Sequence, residues 1–269
     1  MGRIGERFAA LRARGERALV PFITAGDPDL SATQALVLAL AQAGADLIEI
    51  GIPFSDPLGD GPVIQRANER ALRAGTSLRR VLELVKTLRP QVEVPLVLMG
   101  YTNPILAMGE SRFAEAASAV GVDGVIVVDL PPEEGEDLFG ALAGAGIDAV
   151  LLAAPTTQPK RLAMLAGRTR GFLYYVSLTG VTGARSELAR GIEASVREIR
   201  AVSDVPVCVG FGVSTPEQVR EVGRFADGVA VGSALIEAIQ RAGPGPAAVD
   251  AAGRFVAGLK APLRAPASA

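Results

Sequence analysis

The 269-residue chain (27.7 kDa) carries 27 basic and 29 acidic side chains, a formal charge of −2, and 49% apolar residues. Its length is close to the roughly 250 residues of an α/β barrel, and the apolar share excludes a predominantly disordered chain. The near-even charge lacks the basic face that nucleic-acid binding needs, and no apolar run reaches the roughly 18 residues of a membrane helix.

Size scaling predicts that nearly three-quarters of about 40,000 Å² of unfolded surface can be buried. The segment MGRIGERFAALRARGERA is charged throughout and has no apolar centre, so no secretory signal is expected and a soluble cytoplasmic protein follows. The single cysteine permits no internal disulfide; Cys208, inside VPVCVG, reads as a small core hydrophobe. There is no histidine, and the only lysines are Lys86, Lys160 and Lys260. Triads, zinc sites and acid/base steps that depend on histidine are therefore excluded. Proton transfer near pH 7 falls to carboxylates, tyrosines or a cofactor.

In chain order, Ile4–Arg12 reads as an extra helix able to cap a barrel floor, and Leu19–Thr24 as the first strand. A helix over Leu30–Ala43 leads to a strand at Leu47–Ile50. Two helices, Val63–Arg73 and Leu78–Leu88, fill the widest gap before Leu96–Met99. Then come Arg112–Ala119 (helix), Gly124–Asp129 (strand), Glu133–Ala143 (helix), Ala149–Ala153 (strand), Pro159–Ala166 (helix) and Phe172–Val176 (strand). The series ends with Glu187–Ala201 (helix), Val207–Gly210 (strand), Pro216–Val222 (helix), Gly228–Val231 (strand), and helices at Ala234–Arg241 and Val249–Leu259, with a mobile tail expected at 261–269. Most of the strand runs are apolar on both parities, the mark of parallel strands buried on both faces. Gly44, Gly75, Gly121, Gly144 and Gly223 stand where helices should end. Eight strand–helix units without a linker favour one α/β domain over 1–269, a (β/α)8 TIM barrel with extra helices at the N-terminus and near the C-terminus. A doubly wound open sheet is the rival. It usually has a glycine-rich dinucleotide turn after its first strand, where this chain has Ala25-Gly26-Asp27-Pro28.

Barrel active sites lie at the C-terminal strand ends. Glycine-rich turns follow the sixth, seventh and eighth strands: Gly180-Val181-Thr182-Gly183, Gly210-Phe211-Gly212-Val213-Ser214 and Gly232-Ser233-Ala234. Together they suit a phosphate held by backbone N–H groups and a helix N-terminus; singly, each could merely be a tight turn. Glu49 is a carboxylate inside an apolar strand, and burial should push its pKa toward neutrality, as an acid/base group requires. The alternative is a structural glutamate paired with an arginine or backbone amides. Asp60 follows in a Pro- and Gly-rich loop able to fold over the mouth, either as a second acid/base group or as a turn former; Asp56 has a turn or contact role. No lysine sits at a strand end for a Schiff base, and no clustered ligands suggest a metal.

The stretch Leu47-Ile48-Glu49-Ile50-Gly51-Ile52-Pro53-Phe54-Ser55-Asp56-Pro57-Leu58-Gly59-Asp60-Gly61-Pro62 closely resembles the signature of the tryptophan synthase alpha subunit family. Supporting stretches are Pro21–Pro28, Met99–Ile105, Asp129-Leu130-Pro131, Gly180–Ala184 and Gly210–Ser214, and the likeness runs from about residue 4 to 260. The resemblance implies a lyase that splits indole-3-glycerol phosphate into indole and glyceraldehyde 3-phosphate. It implies Glu49 as catalytic acid/base and Asp60 as the group that stabilises positive charge at the indole nitrogen. Phe22 and Tyr174 would line the indole pocket, with Tyr175 pointing away. Thr182 would sit in a closing loop, and the backbone around Gly183, Phe211, Gly212, Gly232 and Ser233 would hold phosphate. It also implies a pyridoxal-phosphate (PLP) β subunit as partner in an αββα heterotetramer, faced by Asp56, Asn103, Pro104, Asp129 and Pro131, with no cofactor in this chain. Gly59 is a mild departure that should loosen the loop. Competing readings are a stand-alone indole lyase, another phosphate-binding barrel such as a sugar-phosphate isomerase, or a non-catalytic partner-binding subunit.

Overall fold

The structure, a computed structural model, describes residues 2–176, 185–210 and 212–265, with side chains except at 185–190. Helix α1 (Arg3–Ala13) precedes β1 (Ala18–Thr24), α2 (Leu30–Gln42) and β2 (Ile48–Gly51). Next come α3 (Pro62–Arg73), α4 (Leu78–Leu88), β3 (Leu96–Gly100), α5 (Thr102–Met108), α6 (Glu110–Val120) and β4 (Gly124–Val127). They are followed by α7 (Glu136–Gly144), β5 (Asp148–Ala149), β6 (Leu151–Ala153), α8 (Pro159–Arg168), β7 (Leu173–Val176) and α9 (Arg185–Val202). The chain continues through β8 (Val207–Gly210), α10 (Pro216–Val222), β9 (Gly228–Val231), α11 (Ser233–Ala242), α12 (Pro246–Lys260) and a 3-10 turn at Ala261–Leu263.

The strands pair in the order β5-β4-β3-β2-β1-β9-β8-β7-β6, all in parallel. The two ends of this sheet, β5 and β6, flank a single residue, Val150. They are halves of one strand, so the sheet closes into an eight-membered barrel, and the single run expected at Ala149–Ala153 is divided there.

Strand parity sorts the core. Ala18, Val20, Leu47, Val97, Ile126, Phe172, Cys208 and Ala230 point inward and pack with Ile4, Phe8 and Leu11 of α1, which plugs the barrel floor. The Phe8 and Phe172 rings lie 5.9 Å apart. Each fully buried α1 side chain contributes roughly 1.5–3 kcal/mol. The opposite parity (Leu19, Ile48, Ile50, Leu96, Leu98) packs outward beneath the helices.

Aspartates stitch the floor. Asp46 accepts from the Leu19 N–H at 2.8 Å, Asp123 from Leu96 N–H at 2.8 Å and Asp227 from Val207 N–H at 3.0 Å. Each stands just before one strand and ties down the strand that precedes it in the sequence. Lys260, one residue past the expected last helix, ends α12 buried, with Nζ 2.8 Å from Asp46 and donating to the Arg17 carbonyl at 3.0 Å. Leu263 is buried in the 3-10 turn that follows, and residues 266–269 of the expected tail lie outside the described residues.

Two local expectations also change. Gly44, Gly75 and Gly121 take φ of 99°, 78° and 86°, but Gly144 is the last residue of α7 and Gly146 supplies the positive φ there. Gly223 stays right-handed at φ −62°. Helix α5 has no counterpart in the periodicity, because its N-terminus is capped from a distance: the Asp129 carboxylate accepts from the Thr102 N–H and hydroxyl, both at 2.8 Å.

Candidate active site

Glu49 lies on the inward parity of β2, between Phe22 on β1 and Val97 on β3 in the sheet register. It is 0% exposed, and neither carboxyl oxygen has a hydrogen-bond partner among the described residues. Among the described residues, no arginine or amide pairs with it. Burial alone pushes its pKa up to about 8. The neighbouring inward groups feel it. Tyr174 and Cys208 both have pKa values raised, first by burial and then by the nearby Glu49 charge. A carboxyl group that holds its proton near neutral pH can both give and take one.

Asp60 is brought to the same end of the barrel by the loop after β2. The Ile52 N–H donates to the Met99 carbonyl at 2.7 Å, and the Phe54 ring stacks on Tyr101 with centroids 5.1 Å apart. The Gly59 N–H donates to the Tyr101 hydroxyl at 3.0 Å. A Cβ on Gly59 would sit 3.3 Å from that hydroxyl, so glycine here lets the loop approach Tyr101 closely and does not simply loosen it. Burial raises the Asp60 pKa to about 6, against opposing hydrogen bonds from Asn68 and Tyr101. Asn68 Nδ2 donates to Asp60 Oδ2 at 3.0 Å. Sequence reasoning covered Tyr101 only within the supporting stretch Met99–Ile105 and missed Asn68; the available signal was an amide in the helix that follows a loop carboxylate.

Phe22 is 7% exposed and packs with Ala67 and Ile236. A Cβ on Gly51 would lie 2.6 Å from its ring, so only glycine fits beneath it. Tyr174 points inward and is half-buried, its hydroxyl against Gly210. Tyr175 points outward as expected and donates to Ser195 Oγ at 2.9 Å. Gly212 takes φ +63° and is exposed. Gly232 precedes α11 without a side-chain cap, and Ser233 is the first helical residue, so the first N–H groups of this helix have no acceptor within it. Thr182, Gly183 and Phe211 lie outside the described residues.

Residues 8–260 match the family described as tryptophan synthase alpha chain. The chain belongs to that family. It is 54% identical over 260 residues to the tryptophan synthase alpha chain of Geobacter sp. (strain M21), covering 97% of each. It superposes on tryptophan synthase subunit alpha from Legionella pneumophila with a TM-score of 0.89 at 39% identity, covering 98% of both chains. A chain of Mycobacterium tuberculosis tryptophan synthase gives 0.90 at 38% identity, with 98% and 99% covered. The stretch whose sequence resembles the family's signature, Leu47 to Pro62, runs through strand β2 and the loop that carries Asp60 to the first residue of α3.

Elsewhere on this alpha-chain barrel, Asp56, Asn103 and Asp129 are exposed, and Pro104 and Pro131 are half-buried. Asp56 accepts from Ser55 Oγ at 2.7 Å, in keeping with a turn. Two leucines stand out beside them in the chain, Leu58 at 93% and Leu106 at 53% exposure. Asp27 is engaged by Arg70 through two 2.7 Å hydrogen bonds. No group of three or more His, Cys, Asp or Glu able to hold a metal occurs among the described residues, and no described helix is long and apolar enough to cross a membrane.

Proposed function

We propose that this chain is the lyase subunit of a tryptophan synthase, cleaving indole-3-glycerol phosphate to indole and glyceraldehyde 3-phosphate. The observation that carries the reading is Glu49: a buried, unpartnered carboxyl with its pKa at about 8 on the inner face of β2. Protonated Glu49 donates to indole C3, which turns the ring into an iminium. Ionised Asp60 stabilises the positive charge at the ring N–H. Glu49, now a carboxylate, takes the proton of the glycerol hydroxyl next to the scissile bond. As the aldehyde forms, the C–C bonding electrons move into the C=N⁺ group, indole leaves, and Glu49 is protonated again. The iminium is an electron sink within the substrate, so no lysine, metal or cofactor has to act in this chain.

Phe22 and Tyr174 form the wall for the indole ring. Backbone N–H groups around Gly212, Gly232 and Ser233, with Gly183 and Phe211 by resemblance, grip the phosphate; Thr182 belongs to a closing loop. Remote phosphate binding orients the reacting carbon. A β subunit carrying PLP is the partner, in an αββα heterotetramer, and docks on the face bearing Asp56, Asn103, Pro104, Asp129 and Pro131. The exposed Leu58 and Leu106 supply apolar surface for such a contact. The 1–269 chain acts as one barrel unit, and its place is the cytoplasm.

The test is indole release from indole-3-glycerol phosphate by the purified chain, with and without an added β subunit. Release that rises on adding the partner supports the reading. Equal high turnover in both assays favours a stand-alone indole lyase, and no release in either leaves a non-catalytic subunit.

A further inference from the structure

We propose that Asn68 is the positioning residue for Asp60, holding one carboxylate oxygen from helix α3 so that the carboxylate keeps one orientation toward the substrate. The inference rests on the reading of Asp60 as the partner of the indole nitrogen. Helix α3 begins two residues after Asp60 and carries amides at 65 and 68, three apart and therefore on one face. Both reach back to Asp60. Gln65 Nε2 donates to its backbone carbonyl at 2.9 Å, and Asn68 Nδ2 donates to Oδ2 at 3.0 Å. Asn68 is only 4% exposed, flanked on the same helix by the buried Ala67 and Ala71. Burying an amide is unfavourable unless its hydrogen bonds are made, and the bond it makes here is to the reacting loop.

The clamp has two consequences. Fixing Oδ2 restricts rotation of a carboxylate that sits on a loop, so that it keeps one orientation toward the ring N–H. Donation to the ionised form also opposes the burial that would otherwise keep Asp60 protonated. The titratable group that also hydrogen-bonds Asp60 is the Tyr101 hydroxyl, kept neutral because burial raises its pKa.

The experiment follows the Asp60 carboxyl carbon by NMR through a pH titration in wild type and Asn68→Leu, alongside kcat and KM from pH 5.5 to 9. In the variant, the Asp60 midpoint should rise by about one pH unit, as for loss of one charge-assisted hydrogen bond. The acid limb of the rate profile should move with it, and kcat at pH 6 should fall about fivefold while KM stays within twofold. An unmoved Asp60 midpoint in a folded variant overturns the clamp. A raised midpoint with kcat unchanged at every pH leaves the clamp standing and overturns the role given to Asp60. Should Asn68→Leu fail to fold, Asn68→Ser, whose side chain is too short to reach Oδ2, is read by the same criteria.

Discussion

A glutamate ordinarily releases its proton near pH 4.5, whereas burial holds that of Glu49 to about 8. Between those values the folded chain keeps a proton that the unfolded chain has lost. Stability therefore falls by about 1.4 kcal/mol per pH unit as pH rises through the interval. Glu49→Gln removes the penalty, so the variant should resist urea better than wild type at pH 8, with the difference gone by about pH 4. Equal midpoint differences at both pH values would mean that Glu49 is ionised in the fold. The two carboxyls also bracket a working range, since the proposed reaction needs Glu49 protonated and Asp60 ionised. The profile of kcat/KM against pH should rise with a limb near 6 and fall with a limb near 8; a profile flat from 5 to 9 would separate the titrations from the chemistry. Glu49 was legible in the sequence because a charge inside an apolar strand is conspicuous. Asn68 was not, because nothing in a helical pattern shows which loop atom an amide meets.

At the scale of elements, the turn after β8 depends on Gly212, whose φ of +63° is a conformation side chains rarely adopt, although nothing lies within 4 Å of its missing Cβ. Gly212→Leu should therefore act through the backbone. It should weaken binding of glyceraldehyde 3-phosphate by tenfold or more, a cost of about 1.4 kcal/mol, as read by calorimetry; unchanged affinity would move the phosphate elsewhere. Helix α5 shows the limit of local reading. Its cap, Asp129, comes from the loop after β4, and a tertiary cap leaves no mark in the sequence around residue 102. Asp129→Ala should cost the helix about 1 kcal/mol and weaken binding of the β subunit, also measurable by calorimetry. The helix pair α3–α4, by contrast, follows the predicted bounds closely, since periodicity, Pro62 at the first turn and a left-handed Gly75 all agree.

Across the whole molecule, the proposed chemistry and the stabilising floor contacts occupy opposite ends of the barrel. The mouth carries Glu49 and Asp60; the floor carries the α1 plug and the aspartate stitches. The eight strand–helix units were readable because strands buried on both faces are apolar throughout. The floor was less so, since Lys260 and Asp46 are 214 residues apart in sequence yet 2.8 Å apart in space. Lys260→Met would leave Asp46 buried without its counter-charge and should cost about 3–5 kcal/mol of stability, seen as a lowered Tm. Indole release per folded molecule should be unaffected; a large loss of turnover would show that floor and mouth are coupled.

The proposed reaction depends most directly on a proton passing from Glu49 to indole C3. Indole release by Glu49→Gln, measured at pH 7 beside wild type with folding and phosphate-ligand binding verified, should fall by a factor of at least ~10²–10⁴, the contribution of a positioned acid/base group. Turnover within tenfold of wild type would contradict it.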